Sequence, residues 1–310
     1  MKILFAGAGA MGARFGYLLQ EQGNDVVFAD YWADHVNTIN EQGLKVHVDG
    51  KEVGTYKIPA YNPKEVEGTF DLIFVFTKAM QLDQMMQDIK HVITEDTFVI
   101  CLLNGLGNVE NITPYVPSTQ IYLGTTVWTS GLGGPGFVNA VGSGSIALQQ
   151  VEHTESAFHE AMLSTLNKAG LNVVMSDDVM QTIWHKVSLN SVLNTYCTLI
   201  DCNIAEYGSY EYNAVLSELI VDEIVAVGKA EGVEVLKDVV MKNIEGVFPL
   251  DKAGAHHPSL YQDMANKRKT EIDYLNGAIA RLGEKHGIAT PVCLAITHMI
   301  HSKENVVGAK

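Results

Sequence analysis

Six residues near the start of the chain, Gly7-Ala8-Gly9-Ala10-Met11-Gly12, restrict the fold more than any other feature. They follow a short apolar run, Lys2 to Ala6, that reads as a buried strand. They precede residues 13–22, where Phe15, Leu18 and Leu19 share a helical face and Gly23 supplies a stop. Residues 25–29 read as a second strand, ended by Asp30, eighteen residues after the last glycine. This order of strand, glycine turn, helix, strand and acid is what a pyrophosphate-binding turn requires. The first glycine permits the tight turn, the second lets backbone approach a pyrophosphate, and the third lets helix and strand pack closely. The helix N-terminus then offers N–H groups and partial positive charge to phosphates. Asp30 is placed to accept the ribose hydroxyls of an adenosine; a turn-forming acid is the alternative reading of that one position. The cofactor candidates from this segment are Gly7, Gly9, Ala10, Met11, Gly12 and Asp30.

At 310 residues the chain is long enough for two domains of about 150 residues each. Hydrophobic residues make up 47% of it, which excludes intrinsic disorder. Charged residues are only 18%, so part of the surface is expected to lie under a partner subunit, a homodimer in the simplest arrangement. A net charge of −15 with no basic run argues against nucleic acid and against an anionic membrane surface. Cys101, Cys197, Cys202 and Cys293 form no CxxC pair and no zinc spacing, as expected in a reduced, cytoplasmic compartment. No apolar stretch reaches the roughly 20 residues of a membrane span. Lys2 and the apolar run to Ala13 resemble a short secretory signal, but four glycines in the first sixteen residues and the charge of Arg14 favour the strand–turn–helix reading.

Further strands are predicted at 71–76, 97–103, 121–127 and 137–149, with a helix at 78–90. The glycine run 131–136 lacks the GK[ST] of a phosphate loop and reads as a hairpin connection. Beyond about residue 176 the pattern turns helical, with predicted helices at 178–200, 210–231, 235–247, 271–286 and 290–302. The expected architecture is α/β: an N-terminal Rossmann-type doubly wound sheet over 1–175, then an all-helical C-terminal domain over 176–310.

The 178–200 helix carries Lys186, Asn190 and Asn194 at i, i+4 and i+8, one drifting polar stripe between apolar flanks. Amides in a row can grip a carboxylate or hydroxyl, and one ammonium can donate a proton. From spacing alone, a solvated face with a surface lysine fits equally well. Glu271 and Asp273 stand at a predicted helix start, where capping alone would explain them.

Six motifs in order carry a resemblance. They are the N-terminal GxGxxG; Thr77-Lys78-Ala79; Asn104-Gly105; Trp184-His185-Lys186 through Asn190 and Asn194; Pro258-Ser259 with Gln262-Asp263; and Lys269-Thr270-Glu271-Ile272-Asp273 with Asn276-Gly277. Over nearly its whole length the chain resembles the ketopantoate reductase (2-dehydropantoate 2-reductase) family, which reduces ketopantoate to D-pantoate in pantothenate biosynthesis with NAD(P)H. The resemblance implies that Lys186 is the general acid protonating the keto oxygen, and that Glu271 holds the substrate's terminal hydroxyl. It implies that Asn190, Asn194 and Ser259 bind the substrate's polar groups, and that Asn104 and Lys78 lie where nicotinamide ribose and substrate meet. An alkoxide formed by hydride addition needs a proton or a positive charge, and Lys186 offers both.

Two departures stand out. The family usually has an arginine after the second strand to hold the 2′-phosphate of NADPH; here Asp30-Tyr31 stands there, which leans to NADH. Where the family often has Gln-Asn-Gly, Leu103 precedes Asn104-Gly105. Two alternatives are an NADH-dependent D-2-hydroxyacid dehydrogenase for branched or aromatic 2-keto acids, and a non-catalytic nucleotide sensor, which would have no reason to keep Lys186. His256-His257 and the His298/His301 pair have no carboxylate at a motif spacing, so no metal is expected.

Overall fold

The computed structural model describes residues 1–310, which form two compact units. Residues 1–103 and 108–179 make the first; residues 104–107 and 180–310 make the second.

The first unit holds twelve strands: β1 (Lys2–Ala6), β2 (Asp25–Ala29), β3 (Leu44–Val48), β4 (Lys51–Tyr56), β5 (Ala60–Tyr61), β6 (Leu72–Val75), β7 (Phe98–Cys101), β8 (Ile121–Thr126), β9 (Thr129–Gly134), β10 (Phe137–Val141), β11 (Ile146–Gln150) and β12 (Val173–Met175). Its helices are α1 (Ala10–Glu21), α2 (Ala33–Gln42), α3 (Leu82–Ile89), α4 (Val109–Ile112) and α5 (Ala157–Lys168). The main sheet has the order β12-β11-β8-β7-β6-β1-β2-β5. From β5 to β8 every pairing is parallel, and β11 runs antiparallel to β8. The order reverses between β1 and β6, so the glycine turn that leaves β1 opens at the switch point where doubly wound sheets bind ligands. The central strands are apolar throughout because helices cover both faces. Phe5 and Phe74 stack on neighbouring strands with centroids 5.0 Å apart, and Phe15 of α1 meets Phe74 edge-on at 6.3 Å.

A second sheet, β4-β3-β10-β9, was not expected from the sequence. The predicted strand 137–149 is two strands, β10 and β11, and they belong to different sheets. The run 131–136 is also not simply a connection. Gly131 to Gly134 lie in β9, paired antiparallel with β10, and only Pro135-Gly136 turn. Pairing with β10 overrides the weak strand preference of these glycines.

Arg14 fastens this small sheet to α1. The side chain is 2% exposed, and its guanidinium donates to the carbonyls of Thr129, Val141 and Gly142 while lying 4.2 Å from the Trp128 ring centroid. Burial lowers its pKa from the ordinary value.

The second unit contains α6 (Val179–Ile200, whose first residue counts with the first unit), α7 (Ile204–Gly208), α8 (Asn213–Ala230), α9 (Lys237–Gly246), α10 (Ser259–Ala265), α11 (Asn276–His286) and α12 (Pro291–Val307). Trp184, Val187, Val192 and Leu193 of α6 enter one core with Ile220 and Ile224 of α8, Ile279 of α11 and Ile300 of α12. Ser188, Thr195 and Thr198 are buried too, and each hydroxyl donates to the carbonyl four residues back. Leu106 joins this core, and its N–H donates to the Tyr274 carbonyl at 2.9 Å, which is why 104–107 belong here. The predicted helix 271–286 is interrupted: a single 3₁₀ turn covers Ile272–Tyr274 before α11 begins. All four cysteines are free and buried. No helix is long and apolar enough to cross a membrane.

Removing the Arg14 guanidinium would leave three part-buried carbonyls without their donor. Arg14→Leu is therefore expected to cost about 2–4 kcal/mol in chemical denaturation. A loss below about 1 kcal/mol would show that the arginine does not hold the second sheet.

Candidate active site

In the first unit the three motif glycines divide the work. Gly7 has φ +110°, and a Cβ there would lie 2.5 Å from the Phe76 carbonyl carbon. At Gly12 a Cβ would fall 2.0 Å from the Gly7 oxygen, so helix and turn could not approach. Beside Gly9, by contrast, a Cβ would meet nothing within 4 Å. That open space next to bare backbone suits a pyrophosphate. The first turn of α1 has no acidic residue and Gly9 offers no side-chain cap, so the helix N-terminus is left to an anion. Ala10, Met11 and Gly12 are themselves the first residues of α1.

Asp30 already works within the protein. Its Oδ2 accepts from Ala8 N–H at 2.8 Å and its Oδ1 from Trp32 N–H at 2.9 Å. A carboxylate has about four acceptor positions, so both oxygens keep capacity for ribose hydroxyls. Lys78 follows β6, at the extended residue that opens the 3₁₀ turn Ala79–Gln81. The Arg14 guanidinium is held in place by three backbone carbonyls of the second sheet and its connections.

In the second unit a cleft is lined by Asn104, Asn190, Asn194, Ser259, Leu260, Asp263, Glu271 and Leu275. All five residues expected on the substrate side meet in it. Asn190 and Asn194 come from α6, Ser259 from the first turn of α10, and Glu271 from the residue before the 3₁₀ turn. Asn194 donates to Ser259 Oγ at 3.4 Å. Lys186 is not among the lining residues. It lies one helical turn before Asn190 on the same stripe. Glu271 stands at the residue before the 3₁₀ turn, and its side chain makes no capping bond there.

Three wall residues were given no role from sequence. Asp263 is 3% exposed, and its Oδ1 takes two bonds from the Arg268 guanidinium, each 2.9 Å. The cleft thus meets a matched ion pair rather than a bare second carboxylate. The signal was present, since Ser259 and Asp263 are i and i+4 on α10. Leu260 and Leu275 give the cleft its apolar walls.

Burial lowers the Lys186 pKa from the ordinary lysine range, and the nearby Glu271 carboxylate offsets part of that shift. An ammonium so destabilised is a better proton donor near neutral pH than a surface lysine.

A sheet built to hold a dinucleotide serves hydride chemistry, and a cleft of amides one turn from an acidic ammonium suits the carboxylate and carbonyl of a 2-keto acid. The protein is an NAD(P)-dependent oxidoreductase acting on a CH–OH group. Residues 3–153 match the family described as Ketopantoate reductase PanE/ApbA, and residues 178–304 match its C-terminal counterpart. The chain belongs to the ketopantoate reductase family. It is similar to the 2-dehydropantoate 2-reductase of Streptococcus pyogenes serotype M18 (strain MGAS8232), 44% identical with 99% of each chain covered. The corresponding protein of Lactococcus lactis subsp. lactis (strain IL1403) is 41% identical with both chains fully covered. Among solved structures, a D-mandelate dehydrogenase with NADH and anilino(oxo)acetate is 44% identical, with TM-score 0.93 and 99% of each chain covered.

Because Glu271 raises the Lys186 pKa, Glu271→Gln is expected to lower it further. With Lys186 as the proton donor, keto-acid reduction would be lost as pH rises through that pKa. The alkaline limb of kcat/KM should therefore move to lower pH in the variant. A limb that stays in place, or moves up, would contradict the coupling.

Proposed function

We propose that the protein is an NADH-dependent 2-dehydropantoate 2-reductase. The observation that carries this reading is Glu271, whose carboxylate lines the amide-rich cleft and is coupled to Lys186 instead of capping a helix. Ketopantoate differs from simpler branched keto acids by a hydroxyl on C4, and an acceptor in the cleft is what that hydroxyl needs.

The bound nicotinamide supplies the hydride. Asn190, Asn194 and Ser259 hold the substrate's polar groups, and Glu271 accepts the C4 hydroxyl. Lys186 gives its proton to the former carbonyl oxygen, which stays on its carbon and becomes the new hydroxyl of D-pantoate. Gly7, Gly9, Ala10, Met11 and Gly12 seat the pyrophosphate, Asp30 takes the adenosine ribose, and Lys78 and Asn104 orient the nicotinamide ribose. The cofactor preference follows from charge. No lysine or arginine occurs from Asn24 to Leu44, Arg14 is committed elsewhere, and Asp30 would face a 2′-phosphate. Like charges at about 4 Å repel by about 1 kcal/mol in water and about 4 kcal/mol at an effective dielectric near 20.

A second reading, a D-2-hydroxyacid dehydrogenase for aromatic keto acids, is favoured by the likeness to a D-mandelate dehydrogenase with NADH and by the apolar walls Leu260 and Leu275. A matrix of kcat/KM separates the two. Ketopantoate, 2-ketoisovalerate and benzoylformate are measured with wild type and Glu271→Ala. The first reading expects a drop of roughly ten- to a hundred-fold for ketopantoate alone. A wild type that prefers benzoylformate, with a substrate ratio unmoved by the mutation, would select the second.

Two further outcomes are expected. Lys186→Ala should lower kcat by about 10²–10⁴ with NADH binding retained; a loss below about tenfold would remove Lys186 from the acid role. NADH should exceed NADPH in kcat/KM by roughly tenfold or more; parity would show that a basic group reaches the 2′-phosphate after all.

A further inference from the structure

His35 is fully buried on α2, and both of its ring nitrogens are engaged. Nδ1 faces the Gly136 N–H at 2.9 Å. A backbone N–H can only donate, so Nδ1 carries no proton. Nε2 therefore carries it and donates to the Ala8 carbonyl at 2.9 Å. One neutral tautomer satisfies both contacts, and burial lowers the ring's pKa in the direction that keeps it neutral. Trp32 stacks on the imidazole with centroids 5.2 Å apart and planes 7° from parallel.

The other side of Ala8 is held as well, because its N–H donates to Asp30 Oδ2 at 2.8 Å. The residue between the first two motif glycines is thus clamped at both of its peptide groups. No peptide bond in the chain is cis. In the peptide joining Ala8 to Gly9, the carbonyl and the N–H therefore point in opposite directions. Holding the carbonyl against a buried imidazole turns the Gly9 N–H away from the interior, at the residue with open space beside its backbone.

We propose that His35, as its Nε2–H tautomer, is a positioning residue for the cofactor: it fixes the Ala8–Gly9 peptide plane and so aims the Gly9 N–H at the dinucleotide's pyrophosphate. The inference rests on reading the glycine turn as the dinucleotide site. Through Gly136, the turn between β9 and β10, it also gives the second sheet a purpose: the small sheet buttresses the loop from behind.

The test uses three variants of the full chain, with NADH affinity read from nicotinamide fluorescence, steady-state kinetics and Tm. His35→Phe keeps a ring against Trp32 but loses the donor, and His35→Gln can replace the donor to Ala8. The expected result is a rise of about ten-fold or more in Kd and KM for NADH in His35→Phe, with kcat and the keto-acid KM within about twofold of wild type. His35→Gln should stay within about threefold of wild type on every parameter. If His35→Phe lowers only Tm and binds NADH as wild type does, the residue is merely structural and the proposal is overturned. Gly9→Val checks the underlying reading, since it should abolish NADH binding. If it does not, the glycine turn is not the site, whatever His35 does. Long-range ¹H–¹⁵N correlation of the wild-type imidazoles decides the matter even if a variant fails to fold. It should find His35 neutral with the proton on Nε2 at neutral pH, and an imidazolium or an Nδ1–H tautomer would overturn the proposal.

Discussion

Helix α6 is enclosed on most of its faces, and it takes Lys186 partly out of water with it. Its apolar residues enter the core of the second unit, and the buried hydroxyls of Ser188, Thr195 and Thr198 bond to carbonyls of their own helix. The lysine is left as a costly charge whose proton is held less tightly than in water. Glu271 limits the cost by standing nearby. The pair is a compromise, since a bare buried lysine would be neutral and a closely paired one would keep its proton too well. The amides at positions 190 and 194 then extend the same stripe as neutral donors and acceptors, adding no further charge to be buried.

The first unit meets a comparable demand with backbone instead of charge. A turn that must present bare N–H groups cannot be braced by side chains on its open side, so it is braced from behind. Asp30 and His35 hold Ala8, Gly12 lets α1 close against the turn, and Arg14 ties α1 to the second sheet. Apart from Gly12 against Gly7, each contact joins residues far apart in sequence, so the rigidity of the turn depends on the rest of the unit being folded.

What could be read from the sequence followed the range of the interactions. β1, the glycine turn, α1 and β2 were visible because their pattern is local and each glycine has one steric reason to be there. The stripe on α6 was visible as periodicity, but its burial was not, since helical spacing says nothing about what covers a face. The second sheet was missed because β3 pairs with β10 across most of the first unit's length, and because Gly131 to Gly134 carry almost no strand preference of their own. Glu271 looked like a helix-start acid until the 3₁₀ turn showed its side chain outside any cap. His35 gave no signal, since a lone histidine on a helix is indistinguishable from a packing residue until its two nitrogen partners are seen.

If a partly desolvated Lys186 is the acid of the reduction, its ammonium titrates in step with catalysis. The ¹⁵Nζ resonance of Lys186 can be followed with pH in the protein carrying an unreactive 2-hydroxy acid, and its midpoint compared with the alkaline limb of kcat for reduction. A midpoint below the ordinary lysine value of about 10.4 that coincides with the kinetic limb is the predicted result. A midpoint at or above that value, or a kinetic limb that ignores it, would contradict the account.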